Sequence, residues 1–518
     1  MSTSLRSNPM SMPMGVKTTL FGLLLLSFSC RKEAVIIGQE FRPPVEDSEQ
    51  HLASFYFLPD INSPFLKDTV TLEINGNEIT GRIPIYTNLK SLVPTFETRA
   101  TKVIVDGQAQ ESGNTPQDFQ KPVIYRTEDI NGLSKQYTVK ITNFTGLPVI
   151  KLATKDGAVI DSKDNYVDAQ ISIDGAGFYN EFEGTMKIKG RGNSTWGFPK
   201  KPYKMKFDKK VSLVGEGEDK EWVLLANYTD NSQLRTSAAF FLGDISNLDW
   251  TPDAHYAEVF LNNVYQGTYQ LCESVKLGEN RVNLPKDGYL LEVDQEERLE
   301  VGDVFFKTSK MLVNIKEPEM VQNDPKYNYV TSYLADAENA LFSDHFKDTL
   351  IGYAKYLDIP SFIDWYLINE ISKNNDAIFY SSCYMNLTPK GKLKMGPIWD
   401  FDLAFGNTET NGNNSIEGFW VNKAPWIARL FEDPNFVKQV VTRFKYFKIN
   451  ENALLVNINT NASKLRWSAI ENNSRWQTLY PGVWPNENVV VKYNNEVLKL
   501  KSWISARMEW LDKALLAL

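Results

Sequence analysis

Three cysteines and three histidines in 518 residues leave little to build with. So sparse a set argues against a disulfide scaffold, and Cys272 and Cys383, the two beyond the first thirty residues, have neither CxxC nor Cys/His spacing. One bridge between them stays open. With only His51, His255 and His345 available, an imidazole metal centre is not expected, so any metal should sit on oxygen ligands, as magnesium, manganese or calcium. Charge of one sign is lacking too: Lys+Arg 56 against Asp+Glu 64 gives a formal net charge of -8. That balance offers no footing for nucleic acid, and no nucleic-acid partner is expected.

A long apolar run is also missing near the N-terminus. Leu20 to Leu26 follows Lys17 and is too short to span a bilayer as a mature helix, so it reads as a cleaved signal peptide. The run ends in Ser27-Phe28-Ser29-Cys30, which resembles a bacterial lipobox with Ser27 where Leu is usual. On that reading residues 1–30 are a lipoprotein signal peptide, Cys30 is the lipidated residue, and the protein sits in the cell envelope, on the periplasmic face or the cell surface. An ordinary secretory signal is the alternative. Residues 31–50, polar and carrying Pro43-Pro44, are expected to be a tether.

What the chain does have is organised in two parts. Residues 51–147 hold short β-rich runs with turn signals between them. Alternation at Val70-Leu72-Ile74 and Tyr137-Val139-Ile141 predicts a small antiparallel sandwich without a site of its own. The arrangement, ending in a YTVKITNFTGLP segment, resembles the immunoglobulin-like domains at the front of many exported bacterial lipoproteins. Residues 148–518 begin strand-rich and end helical, with helical spacing over Asp358 to Lys373 and Asn435 to Phe447. The fold class expected is α+β, with a cleft between a β-rich and an α-rich lobe.

Four segments of this second part place polar groups where packing alone would not. In IKGRGNSTWGFPKKPYKMKF, residues 188–207, a Gly-containing turn at Arg191 to Thr195 is followed by Lys200, Lys201, Lys204 and Lys206. Backbone N–H groups and lysines in that order suit a phosphate, and a plain hairpin with a solvated basic edge suits them equally well. In ANYTDNSQLRTSAAFFL, Ser232 is a candidate N-cap, and Asp230 with Arg235 reads mainly as a pair fixing a loop. In YAEVFLNNVYQGTYQLCESV, Asn262-Asn263 turns between strands and Glu273 would orient a lysine of the first segment. In INEISKNNDAIFYSSCYMN a helix ends at Asn374-Asn375-Asp376, and a strand pair leads on to GPIWDFDLAFGN. There Asp400 and Asp402 stand among Trp399, Phe401, Leu403 and Phe405, where burial would need compensation. Asp376 and Asp400 could share a divalent cation, or one could bind metal while the other accepts a proton.

Taken in order, KGRGNSTW with KKPYKMKF, NYTDNSQLR, FLNNVYQGTYQLCE and GPIWDFDLAFG resemble the CotH (spore-coat protein H) family from about Pro148 to the end. The resemblance implies an atypical protein-kinase-like, two-lobed fold and phosphoryl transfer from ATP with Mg2+ or Mn2+ to a hydroxyl acceptor. By position it implies Asp376 as the group that orients and deprotonates the acceptor, Asp400 as the metal ligand and Asp402 as its helper. It further implies Lys201, with Lys204 a close rival, over the phosphates, Glu273 as the lysine's partner, and Arg191, Asn193 and Ser194 covering the triphosphate. The chain departs from ordinary kinases in having no GxGxxG loop, no HRD before Asp376 and no glycine after WDF.

Two functions compete on this reading. The first is an exported, lipid-anchored phosphotransferase acting on a protein or other hydroxyl-bearing substrate. The second is a non-catalytic adhesion or glycan-binding lipoprotein whose aromatic runs, GFWVNKAPW and SRWQTLYPGVW, contact its partner. Calcium binding by DFDLAFGNTETNGNN is not expected, because Ala404 stands where an EF-hand loop needs an oxygen.

Overall fold

The computed structural model describes residues 51–518 apart from 64, 65, 67, 68, 84–86, 144, 177 and 480–487. The expected signal peptide, tether and Cys30 lie outside the described residues. Among those residues no helix is long and apolar enough to cross a membrane.

The front part follows its alternation. Phe55, Phe57, Tyr125, Tyr137 and Val139 are fully buried in one core between a three-stranded and a six-stranded sheet. The antiparallel expectation fails at one place. Strand Glu78–Ile83 runs parallel to Ser134–Asn143, with Ile79 opposite Val139, so the larger sheet is mixed.

From Val149 onward the strands close into a seven-stranded barrel around a second core. Strand Phe182–Gly190 pairs antiparallel with Tyr203–Val211, Ile188 opposite Met205 and Lys189 opposite Lys204. Met186, Ile188, Met205 and Phe207 are buried within the barrel core, which the two-residue period of a strand requires to leave Lys187, Lys189, Lys204 and Lys206 on the outer face. Directly opposed like charges repel. Strand Asp219–Leu225 relieves them through Glu221, whose carboxylate lies 2.8 Å from Lys204 and 3.9 Å from Lys206. Closure comes from strands Ala254–Leu261 and Val264–Glu273, the former running parallel to Val149–Thr154. Asn262 and Asn263, at φ 50 and 63, make the tight turn between them, left-handed geometry that asparagine tolerates.

Strand Tyr289–Asp294, buried at every residue, leaves the barrel and becomes the middle of a five-stranded sheet. Around that sheet gather the helices, and one of them positions the site. Ile359–Ser372 starts on Asp358, whose side chain accepts from the Ser361 N–H, with Pro360 in its first turn. It ends on Lys373 in the left-handed conformation. Nearly all its residues are buried, as suits a helix packed on every side. Its Glu370 accepts from the backbone N–H groups of Trp420 and Val421 and from Arg507. The whole is α+β, strand-rich first and helical after.

Two local expectations change. Helix Arg235–Asp244 begins after Leu234, and Ser232 is not its cap: the Ser232 oxygen accepts from the Leu234 N–H at 3.2 Å, while Asp230 accepts from the first helical N–H, that of Arg235, at 2.9 Å. FYSSCYM is a strand only from Cys383, since Phe379 and Ser382 have positive φ, and GPIWDFD is irregular rather than a strand. The hairpin of Cys383–Leu387 with Lys394–Met395 is short, and Asp376 and Asp400 both lie beyond its paired residues.

Candidate functional site

A cavity of about 340 Å³ opens between the barrel's outer face and the five-stranded sheet. The Gly190 to Thr195 turn and Lys204 wall it on the barrel side, and Glu292, Asp294, Lys316 and Tyr384 wall it on the sheet side. Asp376, Asp400 and Asp402 also line it, so the three predicted aspartates converge there.

Each aspartate is delivered differently. Asp376 follows the end of the buried helix; its carboxylate accepts from Asn375 Nδ2 at 2.9 Å, and its own N–H donates to Asn374 Oδ1 at 3.4 Å. The loop is pinned from behind. Lys373 donates to the carbonyls of Ser415 at 2.9 Å and Glu417 at 2.7 Å, while the Trp420 indole donates to the Asn375 carbonyl at 3.1 Å. Asp400 takes φ 66, a left-handed conformation that short polar side chains tolerate better than most. Asp402 accepts from the Thr229 hydroxyl at 2.8 Å, and Asn407 bridges the carbonyls of Asp402 and Thr229.

Full burial of Asp400 is not what the structure has. Asp400 is exposed to the solvent of the cavity, walled by protein, while Asp376 and Asp402 are half-buried. Although its outer edge is open to the cavity, the enclosing protein leaves the Asp400 carboxyl poorly hydrated, and this, with the charges of Asp402 and Asp376, pushes it up to about 7, against the pull of Arg191 and Arg298. Desolvation also raises Asp376 and Asp402, opposed at Asp376 by Asn375 and Arg298 and at Asp402 by Thr229. Three carboxylates that hold protons against one another make a place that favours a bound cation. Among the described residues no group of three or more His, Cys, Asp or Glu is set to hold a metal on its own. An ion here would complete its shell with water or ligand oxygens.

A pH dependence follows. Above the ordinary carboxylate range the folded protein keeps protons that the unfolded chain has lost, so stability falls as pH rises toward the raised values. Burial lifts Glu273 and Asp244 to about 7 and Glu258 to about 8, with the same sign as Asp400. Without metal the protein should melt at a lower temperature near pH 8 than near pH 5, a difference of sign rather than of stated size. Asp400→Asn, which cannot ionise, should flatten that dependence in thermal melts; a slope equal to the wild type's would contradict the shift at Asp400.

The basic hairpin is placed in part as expected. Arg191, Gly192, Asn193 and Ser194 line the cavity. Gly192 has φ 85 and a Cβ there would meet the Thr195 hydroxyl at 2.1 Å, so this turn needs glycine. Lys204 lines the cavity, whereas Lys201 is not part of its wall: its ammonium donates to the Trp196 carbonyl at 2.6 Å. The expected Glu273 partnership is not formed either. Glu273 pairs with buried Arg281 and accepts from the Asp253 N–H at 3.1 Å, while Lys204 takes Glu221 instead. Glu221 went unnoticed because only the strand register, Lys206 opposite Glu221, brings it near. Asp230 and Arg235 form a buried pair that fixes a loop, and Arg235 Nε donates at 3.1 Å to the carbonyl of Ala404, just past Asp402. Sequence reasoning also passed over Arg298 and the Glu292–Lys316 pair, at 3.4 Å, which line the same cavity.

Comparison with known proteins bears on the two parts separately. Residues 61–141 match the family model described as "SGBP, N-terminal". A search of curated proteins gives no match. Among solved structures, the 2.05 Å crystal structure of a protein from Bacteroides thetaiotaomicron, provisionally assigned as a glycoside hydrolase, aligns over 56% of this chain and 89% of that one. With 14% identity and a TM-score of 0.16, that likeness carries no argument. The remaining match covers more than half the sequence, from the strand before the basic turn to the last helix: over residues 188–511 the chain fits the model described as "CotH kinase protein", and it belongs to that family.

Proposed function

We propose that the protein is an atypical kinase-like phosphotransferase that moves the γ-phosphoryl group of ATP to a hydroxyl, with Mg2+ or Mn2+. The observation that carries this reading is the convergence of Asp376, Asp400 and Asp402 in one cavity opposite a glycine turn and Lys204. Barrel and helical part then act as the two lobes of a kinase-like domain. Magnesium keeps several waters and is held by one or two carboxylates plus phosphate oxygens, which the Asp400 and Asp402 pair fits. When bound, the ion would neutralise charge on the phosphates.

The chain's own groups supply the rest. Lys204, kept oriented by Glu221, and the N–H groups of the turn that carries Asn193 and Ser194 hold the phosphates. Asp376 orients the acceptor hydroxyl and takes its proton, a role that its raised affinity for protons suits. Lipidation at Cys30 would hold this chemistry in the cell envelope. The acceptor is a protein or another hydroxyl-bearing molecule, glycan included.

A non-catalytic adhesion or glycan-binding role draws less support. Among the described residues of its aromatic runs, Trp420 and Trp426 are buried, and the Trp476 indole is held by the Gln266 carbonyl at 2.7 Å. A rise in Tm that needs ATP and divalent cation together is the expected result for the phosphotransferase. No rise with any nucleotide, beside a rise with polysaccharide, would favour the adhesin.

A further inference from the structure

Two guanidinium groups face the cavity without a hydrogen-bond acceptor of their own. Arg191, on the barrel side, lies over the Trp399 ring at 5.4 Å, and Arg298, in the turn Glu296–Arg298 after the central strand of the sheet, lies over Tyr380 at 4.9 Å. Asp376 Oδ2 is 3.8 Å from Arg298 Nη1, outside hydrogen-bond reach. Among the described residues neither side chain donates a hydrogen bond. Lys204 on the barrel side and Lys316 on the sheet side already have Glu221 and Glu292 as partners. An arginine carries five N–H donors in a fixed fork that matches phosphoryl oxygens, and leaving them unmet as water is expelled is costly. Each fork is held by an aromatic ring, and both lie close enough to Asp400 to act on its charge.

We propose that Arg298 grips the phosphoryl group in transfer from the sheet side, opposite Arg191 on the barrel side, as a built-in arginine clamp. This rests on the phosphotransferase reading. As the attacking oxygen bonds to the γ-phosphorus, its proton passes to Asp376. The bond from that phosphorus to the β,γ-bridging oxygen breaks, and its electron pair leaves with ADP. Charge spread over the oxygens of the moving group is what a guanidinium beside Asp376 would meet. ADP alone lacks that group, so Arg298 should be indifferent to it.

Calorimetric titration of the purified protein separates these states. MgADP is the first ligand and MgADP with aluminium fluoride, a mimic of the moving phosphoryl group, the second. Arg298→Ala should keep its MgADP affinity within about twofold and bind the fluoride complex roughly 10²–10³-fold more weakly, the scale of one lost donor to developing charge. Arg298→Lys should recover only part, because an ammonium has no fork. Equal losses for both ligands would make Arg298 a residue that merely shapes the cavity and would overturn the clamp, as would no loss for either. Wild-type protein that binds MgADP but gains nothing from the fluoride overturns it as well. Wild-type protein that binds no MgADP overturns the phosphotransferase reading itself, and the clamp with it.

Discussion

Asp376→Asn is expected to lower turnover about 10²–10⁴-fold, the usual worth of a positioned general base, while leaving MgATP affinity within about twofold. The split follows from where the residue sits. Asp376 lies on the loop that ends the buried helix, while the Gly190 to Thr195 turn proposed to hold the phosphates belongs to the barrel. Asparagine keeps the shape and can still meet Asn375, so the loop pinned by Lys373 and Trp420 should stay in place. What is lost is the ability to take a proton. Single-turnover transfer from labelled ATP, beside a binding isotherm, measures both halves. Equal losses in binding and turnover would mean that Asp376 serves the nucleotide or the metal instead.

Arg507→Ala should be the most damaging substitution away from the cavity. The guanidinium is fully buried, donates to the Glu370 carboxylate at 2.6 Å and to the carbonyls of Ile416 and Gly418, and leans on Trp510. Removing it strands the Glu370 carboxylate in an interior that already raises its affinity for protons. Breaking a buried pair from one side costs about 3–5 kcal/mol, a large share of the roughly 5–15 kcal/mol that holds a typical fold. Glu370 lies on the helix whose end leads into the Asp376 loop, so the damage should reach Asp376 as well. Denaturant melts of Arg507→Ala, Glu370→Gln and the double variant Glu370→Gln/Arg507→Met check the argument. Because replacing both charges is often close to neutral, the double variant should be more stable than Arg507→Ala; additive losses would contradict the account.

Much of this site could be read before any coordinate. Runs such as Tyr137-Val139-Ile141 showed themselves as strands by alternation, the helix over Ile359–Ser372 by its helical spacing, and the aspartates by their apolar setting. The lysine's partner could not be read that way. Glu273 and Glu221 both flank apolar strand positions, and only the register between strands decides which of them faces Lys204. The same limit hid the closed barrel and the parallel pair in the front domain, since a period of two says which face a residue takes but not which strand lies beside it. Asp400 misled for another reason: apolar neighbours in sequence suggested burial, whereas a positive φ turns its carboxylate out into the cavity. Arg298 gave no signal at all, one arginine in the acidic stretch QEERLE.

The most direct test of the central claim is titration of MgATP into the wild-type protein and into Asp400→Asn, with and without the divalent cation. The account predicts binding to the wild type that vanishes when the metal is left out and falls at least about tenfold in the variant, as the loss of one charged metal ligand requires. Binding of equal strength with or without the metal, or unchanged by Asp400→Asn, would contradict it.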